Sequence, residues 1–165
     1  MKAIQFLTIL FILSIPLILT GCAGHSSSNE KHKSTEKQSI ITEKPFTVEV
    51  NETKKWRNIS ITIKQINVSY IKNKQKLEIV TAVKNESKNE VFGIGAGDFN
   101  LENNAGEVYK VAEGDNLGGE VEALKTLEGS MYFETTKSSK SFMLSYLQDG
   151  EKVLKWDLNI ERKGK

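Results

Sequence analysis

The sequence predicts an all-β protein in which residues 45–165 form a two-sheet β-sandwich of about seven to nine antiparallel strands. From Phe46 onward, hydrophobic residues alternate with polar ones, which is the period of a half-buried strand. The alternating runs are short and are separated by turn residues. With 38% hydrophobic residues, 27% charged residues and two prolines, the chain has the composition of a protein that folds.

The first strands are indicated by β-branched and aromatic residues at every second position. The alternation covers residues 46–50 and then residues 59–63. Residues 66–70 continue the alternation on the opposite parity, which predicts a bulge or bend near Gln65. The polar stretch 72–76 that follows is predicted to be a hairpin tip or a loop.

The rest of the domain reads as short strands joined by tight turns. Asn103–Gly106 and Asp149–Gly150 are hairpin turn signals, and the pair of strands around the second turn should be antiparallel. Residues 119–127 have some helical character but no strong cap, so a strand or a loop is equally compatible. The predicted strand segments are residues 77–83, 91–94, 99–101, 108–111, 131–133, 142–146 and 153–160.

The N-terminus has the pattern of an export signal. Lys2 precedes an apolar run from Ala3 to Leu19, and small or weakly polar residues follow it. The run is shorter than the roughly 20 residues of a membrane-spanning helix and contains Ser14 and Pro16. We therefore expect residues 1–21 to be a cleaved signal peptide.

The last residues of this segment carry the most specific motif in the chain. Leu19, Thr20, Gly21 and Cys22 resemble the lipobox of bacterial lipoproteins, in which the Cys thiol receives a diacylglyceryl group before cleavage. The resemblance implies that Cys22 is the lipidated first residue of the mature protein, anchored in the cell membrane on the extracytoplasmic side. Cys22 is the only cysteine, so lipidation also accounts for an otherwise unpaired thiol. An ordinary secretory signal with an incidental cysteine is the alternative.

Residues 22–44 are predicted to be a lipidated cysteine followed by a flexible linker. The segment is rich in Ser, Lys and Glu and has too few apolar residues to form a core. His25 and His32, the only histidines in the chain, both lie in it, and their spacing does not make a metal site. We expect no cofactor and no metal.

Charge argues against a nucleic-acid partner. The whole chain has a formal net charge of +2, and residues 45–165 contain 18 basic and 18 acidic residues. Only Arg57 and Arg162 are arginines, while Lys, Asn, Ile and Glu are abundant. This bias suggests an AT-rich genome and hence a Gram-positive bacterium.

A set of hydrophobic and turn positions recurs in a known order across most of residues 46–160. These positions are Phe99, Leu101, Gly106, Tyr109, Leu127–Glu134, Leu144–Tyr146 and Trp156. In this order the domain resembles a family of small secreted Gram-positive and mycobacterial proteins that is related to a secreted mycobacterial antigen. The resemblance implies a telokin-like, immunoglobulin-like fold and an exported location, and no activity is assigned to this domain of unknown function. This chain has Ser130 where the family pattern usually has Gly.

The residue inventory excludes the commonest catalytic sites. A Ser or Cys nucleophile needs a neighbouring base such as His, and the predicted domain has neither His nor Cys. A zinc site fails for the same reason. Glu120 and Glu122 could form a carboxylate pair of the kind used by glycosidases, although such pairs arise by chance among 18 acidic residues and a solvated strand edge is the favoured interpretation. Residues Glu113–Asn116 offer oxygen ligands for calcium but lack the spacing of a dedicated loop.

Three other patterns have a structural and a functional interpretation. Residues Gly93–Gly97 superficially resemble a dinucleotide-binding turn, yet a strand rather than a helix follows, so we expect them to bend a sheet edge. Lys72, Lys74 and Lys76 are expected to be solvated, with weak contact to an anionic wall polymer as the alternative. The large aromatic residues are expected in the core rather than in a ligand groove. These are Trp56, Phe133, Tyr146 and Trp156.

Three functions remain compatible with the sequence. The favoured hypothesis is a non-enzymatic, monomeric binding module that is anchored through Cys22 and contacts an envelope protein or a cell-wall component. The second is a carboxylate-dependent cell-wall glycan hydrolase that uses Glu120 and Glu122. The third is an accessory or immunity-type subunit of an envelope complex, which differs from the first only in having one obligate partner.

Overall fold

A computed structural model describes residues 43–162 of the chain. This part contains ten β-strands and one short 3₁₀ turn at Ala96–Asp98, and it contains no α-helix. The strands are β1 (Phe46–Trp56), β2 (Ile59–Ile71), β3 (Lys74–Asn85), β4 (Phe92–Gly95), β5 (Phe99–Asn103), β6 (Val108–Tyr109), β7 (Gly118–Val121), β8 (Thr126–Thr136), β9 (Ser141–Gln148) and β10 (Glu151–Asn159).

The strands form two four-stranded sheets and a small two-stranded one. The first sheet has the order β1-β2-β3-β8, the second has the order β10-β9-β5-β6, and β4 pairs with β7. Every strand pair is antiparallel. The predicted all-β sandwich is confirmed, and the short strands β4, β6 and β7 bring the number of strands to ten.

A single hydrophobic core lies between the two large sheets. Side chains from both sheets belong to one buried cluster. Ile61 and Phe133 come from the first sheet, Leu144 and Trp156 come from the second, and all four are fully buried. Burial of such side chains is the main stabilising term of a sandwich, since each contributes about 1.5–3 kcal/mol.

The predicted bulge near Gln65 is confirmed. Ile63 pairs with Thr81 and Gln65 pairs with Val80, so Lys64 is an extra residue in β2 relative to β3. The inserted residue reverses the parity of the strand, and Ile66 therefore faces the core as Ile63 does. A single long strand thus keeps one hydrophobic face along its whole length.

The two predicted hairpin turns are confirmed, and the predicted loop at 72–76 is shorter than expected. Asn103 closes the first turn, because its side-chain carbonyl oxygen accepts hydrogen bonds from the backbone N–H groups of Ala105 and Glu107. The second turn has positive φ at both Asp149 and Gly150, as its sequence predicts. The loop at 72–76 reduces to a two-residue turn, since β3 already begins at Lys74.

The ambiguous segment 119–127 contains the end of one strand and the start of another. Gly118–Val121 forms β7 against β4, and a turn at residues 122–125 leads into β8. Val121 is the one buried residue of β7, and the strand is defined by its pairing with β4 rather than by alternating burial. The helical alternative is therefore wrong because the segment buries one residue rather than a helical face.

The loops collect at two ends of the sandwich, to which we give names. At the Arg57 end lie the turn 57–58, the loop 86–91, the loop 122–125 and the turn 149–150. At the Ile71 end lie the turn 72–73, the loop 104–107, the turn 137–140 and the two ends of the described chain, 43–45 and 160–162.

Several predictions concern residues outside the described part of the chain. These are the signal peptide at 1–21, Cys22 with the rest of the lipobox, and the linker with His25 and His32. The domain boundaries stay a prediction for the same reason. No helix within residues 43–162 is long and apolar enough to cross a lipid bilayer.

The close packing of β8 gives a test of the fold. A Cβ atom on Gly129 would lie 2.9 Å from Leu117 Cδ1 and 3.2 Å from Leu117 Cα, so the backbone of residue 117 would have to move. We expect Gly129→Ala to lower the free energy of unfolding by about 1–3 kcal/mol in urea titrations. Gly93→Ala is the control, since a Cβ there meets nothing within 4 Å. Equal stability of the two variants would contradict the packing described.

Candidate functional site

A cleft of about 390 Å³ opens at the Arg57 end of the sandwich. It is bounded by the β1–β2 turn, the loop 86–91 and the end of β9. Its walls are largely aromatic and amide, with one arginine and one glutamate. The residues that line it are Trp56, Arg57, Asn58, Ile59, Asn85, Glu90, Val91, Phe92, Gly93, Tyr146 and Gln148.

The β1–β2 turn presents Arg57 at the edge of this cleft. Trp56 pairs with Ile59, which leaves Arg57 and Asn58 as a two-residue turn. Arg57 has a φ of +52°, a left-handed conformation that is uncommon for residues other than glycine. Its guanidinium lies 4.3 Å from the centre of the Trp56 ring. This cation–π contact holds the side chain against the aromatic wall.

Tyr146 forms the floor of the cleft. Its ring meets Trp56 edge-on with the centroids 6.4 Å apart, and it lies 5.3 Å from the ring of Phe99 in the core. Burial raises the pKa of Tyr146, and the carboxylate of Asp98 raises it further. The hydroxyl therefore keeps its proton and donates to Gln148 Oε1 at 3.3 Å.

Asn85 holds the loop 86–91 in place. Its side chain is 1% exposed. Its Nδ2 donates to the carbonyl oxygens of Glu90, at 2.7 Å, and Val121, at 2.9 Å. Its Oδ1 accepts from the N–H of Ser87 at 2.9 Å. A buried amide that satisfies three backbone groups fixes the rim of the cleft to the core.

The walls of the cleft offer three kinds of contact to a ligand. The aromatic side chains offer flat apolar surface, Arg57 offers a guanidinium, and Gln148 offers an amide. A ligand with a planar or apolar part and an anionic group would match these features. The described part of the chain has no His or Cys to act as base or nucleophile beside them.

A second concavity, of about 450 Å³, lies on the outer face of the first sheet. A row of polar side chains crosses the four strands there. Thr47 Oγ1 donates to Asn67 Oδ1 at 2.8 Å, and Asn67 Nδ2 donates to Glu78 Oε2 at 3.1 Å. Ser130 Oγ and Tyr132 OH both donate to Glu78 Oε1, at 2.9 and 3.2 Å.

Glu78 is the centre of this row and stays ionised. Burial acts to raise its pKa, but the hydrogen bonds from Asn67, Ser130 and Tyr132, with the positive charge of Lys76, outweigh burial and lower the pKa. Burial raises the pKa of Tyr132, and Glu78 raises it further. Both carboxylate oxygens of Glu78 already accept hydrogen bonds from neighbouring side chains. This concavity is therefore a weaker candidate for ligand binding than the cleft.

Glu120 and Glu122 do not belong to either concavity. Glu120 lies on β7 opposite Gly93, and Glu122 follows the end of that strand. Both are exposed. Their surroundings match the solvated strand edge that the sequence also allowed, and the hydrolase hypothesis gains no support from their placement.

Residues Glu113–Asn116 form a loop that packs against β8. The side chain of Asn116 donates to the carbonyl oxygen of Ala112 at 2.8 Å and accepts from the N–H of Tyr132 at 3.0 Å. Asn116 thus binds the loop to the sheet. Among the described residues, no group of three or more His, Cys, Asp or Glu side chains could hold a metal ion.

The glycine segment and the lysines take structural roles. Gly95 ends β4 and donates to Asp98 Oδ2 at 2.7 Å, and this contact turns the chain from the small sheet into β5, as expected for a bent edge. Lys74 pairs with Glu134 at 2.8 Å, and Lys76 lies 4.6 Å from the centre of the Tyr132 ring.

The sequence analysis missed the cleft because its residues are far apart in the chain. Phe133, Tyr146 and Trp156 are buried, as expected for core residues. Trp56 is only partly buried, and one of its sides faces the cleft. The available signal was an arginine, one of only two, directly after a tryptophan at a predicted turn.

Comparisons with known proteins give a fold but no family. No protein-family model matches the chain, and no curated protein matches it. Among solved structures, ycdA of Bacillus subtilis, proposed to be a lipoprotein, matches 70% of this chain with a TM-score of 0.57 and 20% identity. This chain spans 40% of that protein's chain.

Two further solved structures are similar. A functionally unknown protein of Listeria monocytogenes matches 73% of this chain and 87% of its own, with a TM-score of 0.54 and 14% identity. The secreted protein MPT63 of Mycobacterium tuberculosis matches 60% of this chain and 82% of its own, with a TM-score of 0.49 and 16% identity. The first two support the fold alone.

The two tryptophans should differ in solution. Trp156 is fully buried, whereas Trp56 is partly exposed at the cleft. We expect iodide to quench the fluorescence of the Trp156→Phe variant, in which Trp56 remains, and to leave the Trp56→Phe variant nearly unaffected. Equal quenching of both variants would contradict the described position of Trp56.

Acid stability should report on Glu78. Because folding lowers the pKa of Glu78 below the ordinary value of 4.5, its ionised form stabilises the fold above that pH, and this contribution is lost as the pH falls through the lowered value. As the pH is lowered through this range, we expect the urea midpoint of unfolding to fall less for Glu78→Gln than for the wild type. Glu120→Gln, which changes an exposed carboxylate, should follow the wild type. A Glu78→Gln curve parallel to the wild type would contradict the assignment.

Proposed function

We propose that this protein is a non-enzymatic binding module on the extracytoplasmic face of a bacterial cell membrane, with the cleft at the Arg57 end as its binding site. The export signal and the lipobox residues Leu19–Cys22 support the location. One of the similar solved structures is itself proposed to be a lipoprotein. Anchoring through Cys22 is predicted from the sequence.

The observation that carries the proposed binding site is the position of Arg57 against the aromatic wall of the cleft. Its left-handed φ does not single it out, because four other non-glycine residues in the described part of the chain share that conformation. What distinguishes Arg57 is what its guanidinium contacts. It contacts Trp56 and faces the cleft.

The location of the cleft favours contact with a partner outside the membrane. The described chain begins at the Ile71 end, and the cleft lies at the opposite end of the sandwich. Val91 is 56% exposed beside the cleft and extends its apolar surface. An envelope protein or a wall component with an aromatic or apolar group next to an anionic group would fit this surface.

The side chains of the cleft do not offer the carboxylate pair of a glycosidase. Glu90 is the one carboxylate that lines the cleft, and the neighbouring polar groups are amides and a guanidinium. Hydrolysis of a glycan by carboxylates requires two of them on either side of the bond. The proposal includes two roles. The protein is either a module that binds a free ligand or an accessory subunit with one obligate protein partner.

Site-specific photo-crosslinking in cells tests the proposal. A photoreactive amino acid is placed in the full-length protein at Val91, on the cleft, or at Val108, which is 53% exposed on β6 and far from the cleft. We expect a defined crosslinked product from position 91 and none from position 108. A single protein product would identify an accessory subunit, and a glycan product would identify a wall-binding module.

Arg57→Gly provides the matched variant for this experiment. Glycine keeps the left-handed turn and removes the guanidinium. We expect the product from position 91 to fall several-fold in this variant, while the urea midpoint stays close to that of the wild type. The same product from both positions, or a product that Arg57→Gly leaves unchanged, would overturn the proposed site.

A further inference from the structure

The hairpin that joins β2 to β3 exposes an isoleucine at its tip. Ile71 is the last residue of β2, pairs with Lys74, and is 55% exposed. β2 and β3 are the two central strands of the first sheet and are paired along their whole length. The tip is therefore held firmly by the sheet, and the exposed apolar side chain is a fixed feature of this end.

Basic side chains outnumber acidic ones at the Ile71 end. Lys74 pairs with Glu134 at 2.8 Å, and Lys137 pairs with Glu43 at 3.0 Å. Among residues 43–162, the exposed charged residues of this end that form no ion pair are Lys44, Lys72, Lys140, Arg162, Glu107 and Glu161. Ile71 thus projects from an end of the sandwich that keeps a positive excess after its internal pairing.

The chain reaches the domain at this same end. The guanidinium of Arg162 donates to the carbonyl oxygen of Lys44 at 2.6 Å, and the Glu43–Lys137 pair holds the preceding residue. Twenty residues separate Glu43 from Cys22. An anchor at Cys22 therefore connects to the Ile71 end and not to the Arg57 end.

The opposite end has a different surface. Its most exposed apolar residue, Leu124, is 60% exposed but lies between Glu122 and Lys125. The loop 86–91 beside it likewise carries both signs of charge. This end therefore has exposed apolar residues without a positive excess.

From these observations we infer that the Ile71 tip and its lysines dock onto an anionic lipid surface. An exposed apolar side chain at an end with a positive excess matches the boundary between anionic headgroups and acyl chains. Docking there would orient the sandwich with the Arg57 end away from the membrane. The inference rests on the proposed anchoring through Cys22, and it adds an orientation to the proposed function. A wall polyanion would use the lysines but has no need of Ile71.

Fluorescence quenching by lipids in the full-length protein tests the docking. The dye is attached at Asn73→Cys, on the tip, or at Asn89→Cys, an exposed asparagine in the loop 86–91 at the other end. The protein is reconstituted into vesicles of phosphatidylcholine with or without phosphatidylglycerol, and quencher is attached to the acyl chains. We expect quenching at position 73 to exceed that at position 89 several-fold, in the anionic vesicles only.

Further variants separate the contribution of the apolar side chain from that of the lysines. Ile71→Ser and the double variant Lys72→Glu, Lys140→Glu should each reduce quenching at position 73 several-fold, and Leu124→Ser should leave it unchanged. Equal quenching at the two positions, or no effect of Ile71→Ser, would overturn the inference. Soluble polyphosphate can also be used to release the tip from the vesicles. If the wild type and Ile71→Ser are released equally well, the lysines form a simple anion-binding patch, and the inferred lipid docking is overturned.

Vesicle flotation distinguishes failure of the anchor from failure of the docking. Protein that does not float with neutral vesicles lacks a lipid anchor, which contradicts the proposed function. In that case Cys22→Ser is added, so that the dye is attached only at position 73 or 89. These labelled proteins, mixed with an excess of preformed anionic vesicles, still report contact of the tip. Protein that floats but shows equal quenching at both positions keeps the anchor and disproves the docking.

Discussion

The pairing of β2 with β3 is the constraint on which the rest of the structure depends. The two strands run antiparallel from the Ile59–Asn85 pair to the Ile71–Lys74 pair, and they carry a large share of the core. Their register places Asn85 beside the β1–β2 turn at one end and Ile71 at the other. The extra residue Lys64 lets both halves of β2 face the core, because without it one half would turn its isoleucines to solvent.

Residues that pack in or against the core also form the walls of the cleft and fix its shape. Asn85 ends β3 and bonds to the loop 86–91, and Tyr146 reaches the floor of the cleft from β9 while it packs on Phe99. Removing the buried amide would leave backbone groups unsatisfied, at a cost of about 1–3 kcal/mol each. The walls of the cleft and the core are therefore one packing unit, and variants that loosen the core near Asn85 should also change the shape of the proposed binding site.

Much of the fold could be predicted from the sequence, and little of the site. Alternation identified the strands, and the Asp149–Gly150 turn followed from local backbone preference, which depends on adjacent residues. Segments 91–94 and 108–111 were predicted to be strands, but the pairing of β4 with β7 was not predicted, since pairing between distant segments has no local signal. The cleft was missed for the same reason: Trp56, Glu90 and Tyr146 meet only when the sheets are assembled.

Together these features describe a sandwich with two different ends: the described chain begins at the Ile71 end, and the Arg57 end carries an aromatic, arginine-edged cleft. Hydrogen exchange of the full-length protein, compared between its native envelope and the purified state, tests this account most directly. We predict slower exchange in the envelope at Trp56–Ile59 and across residues 86–93, and unchanged exchange in the loop 113–116, which packs against the middle of β8 and belongs to neither end. Unchanged exchange around the cleft, with protection on the outer face of the first sheet instead, would contradict the account.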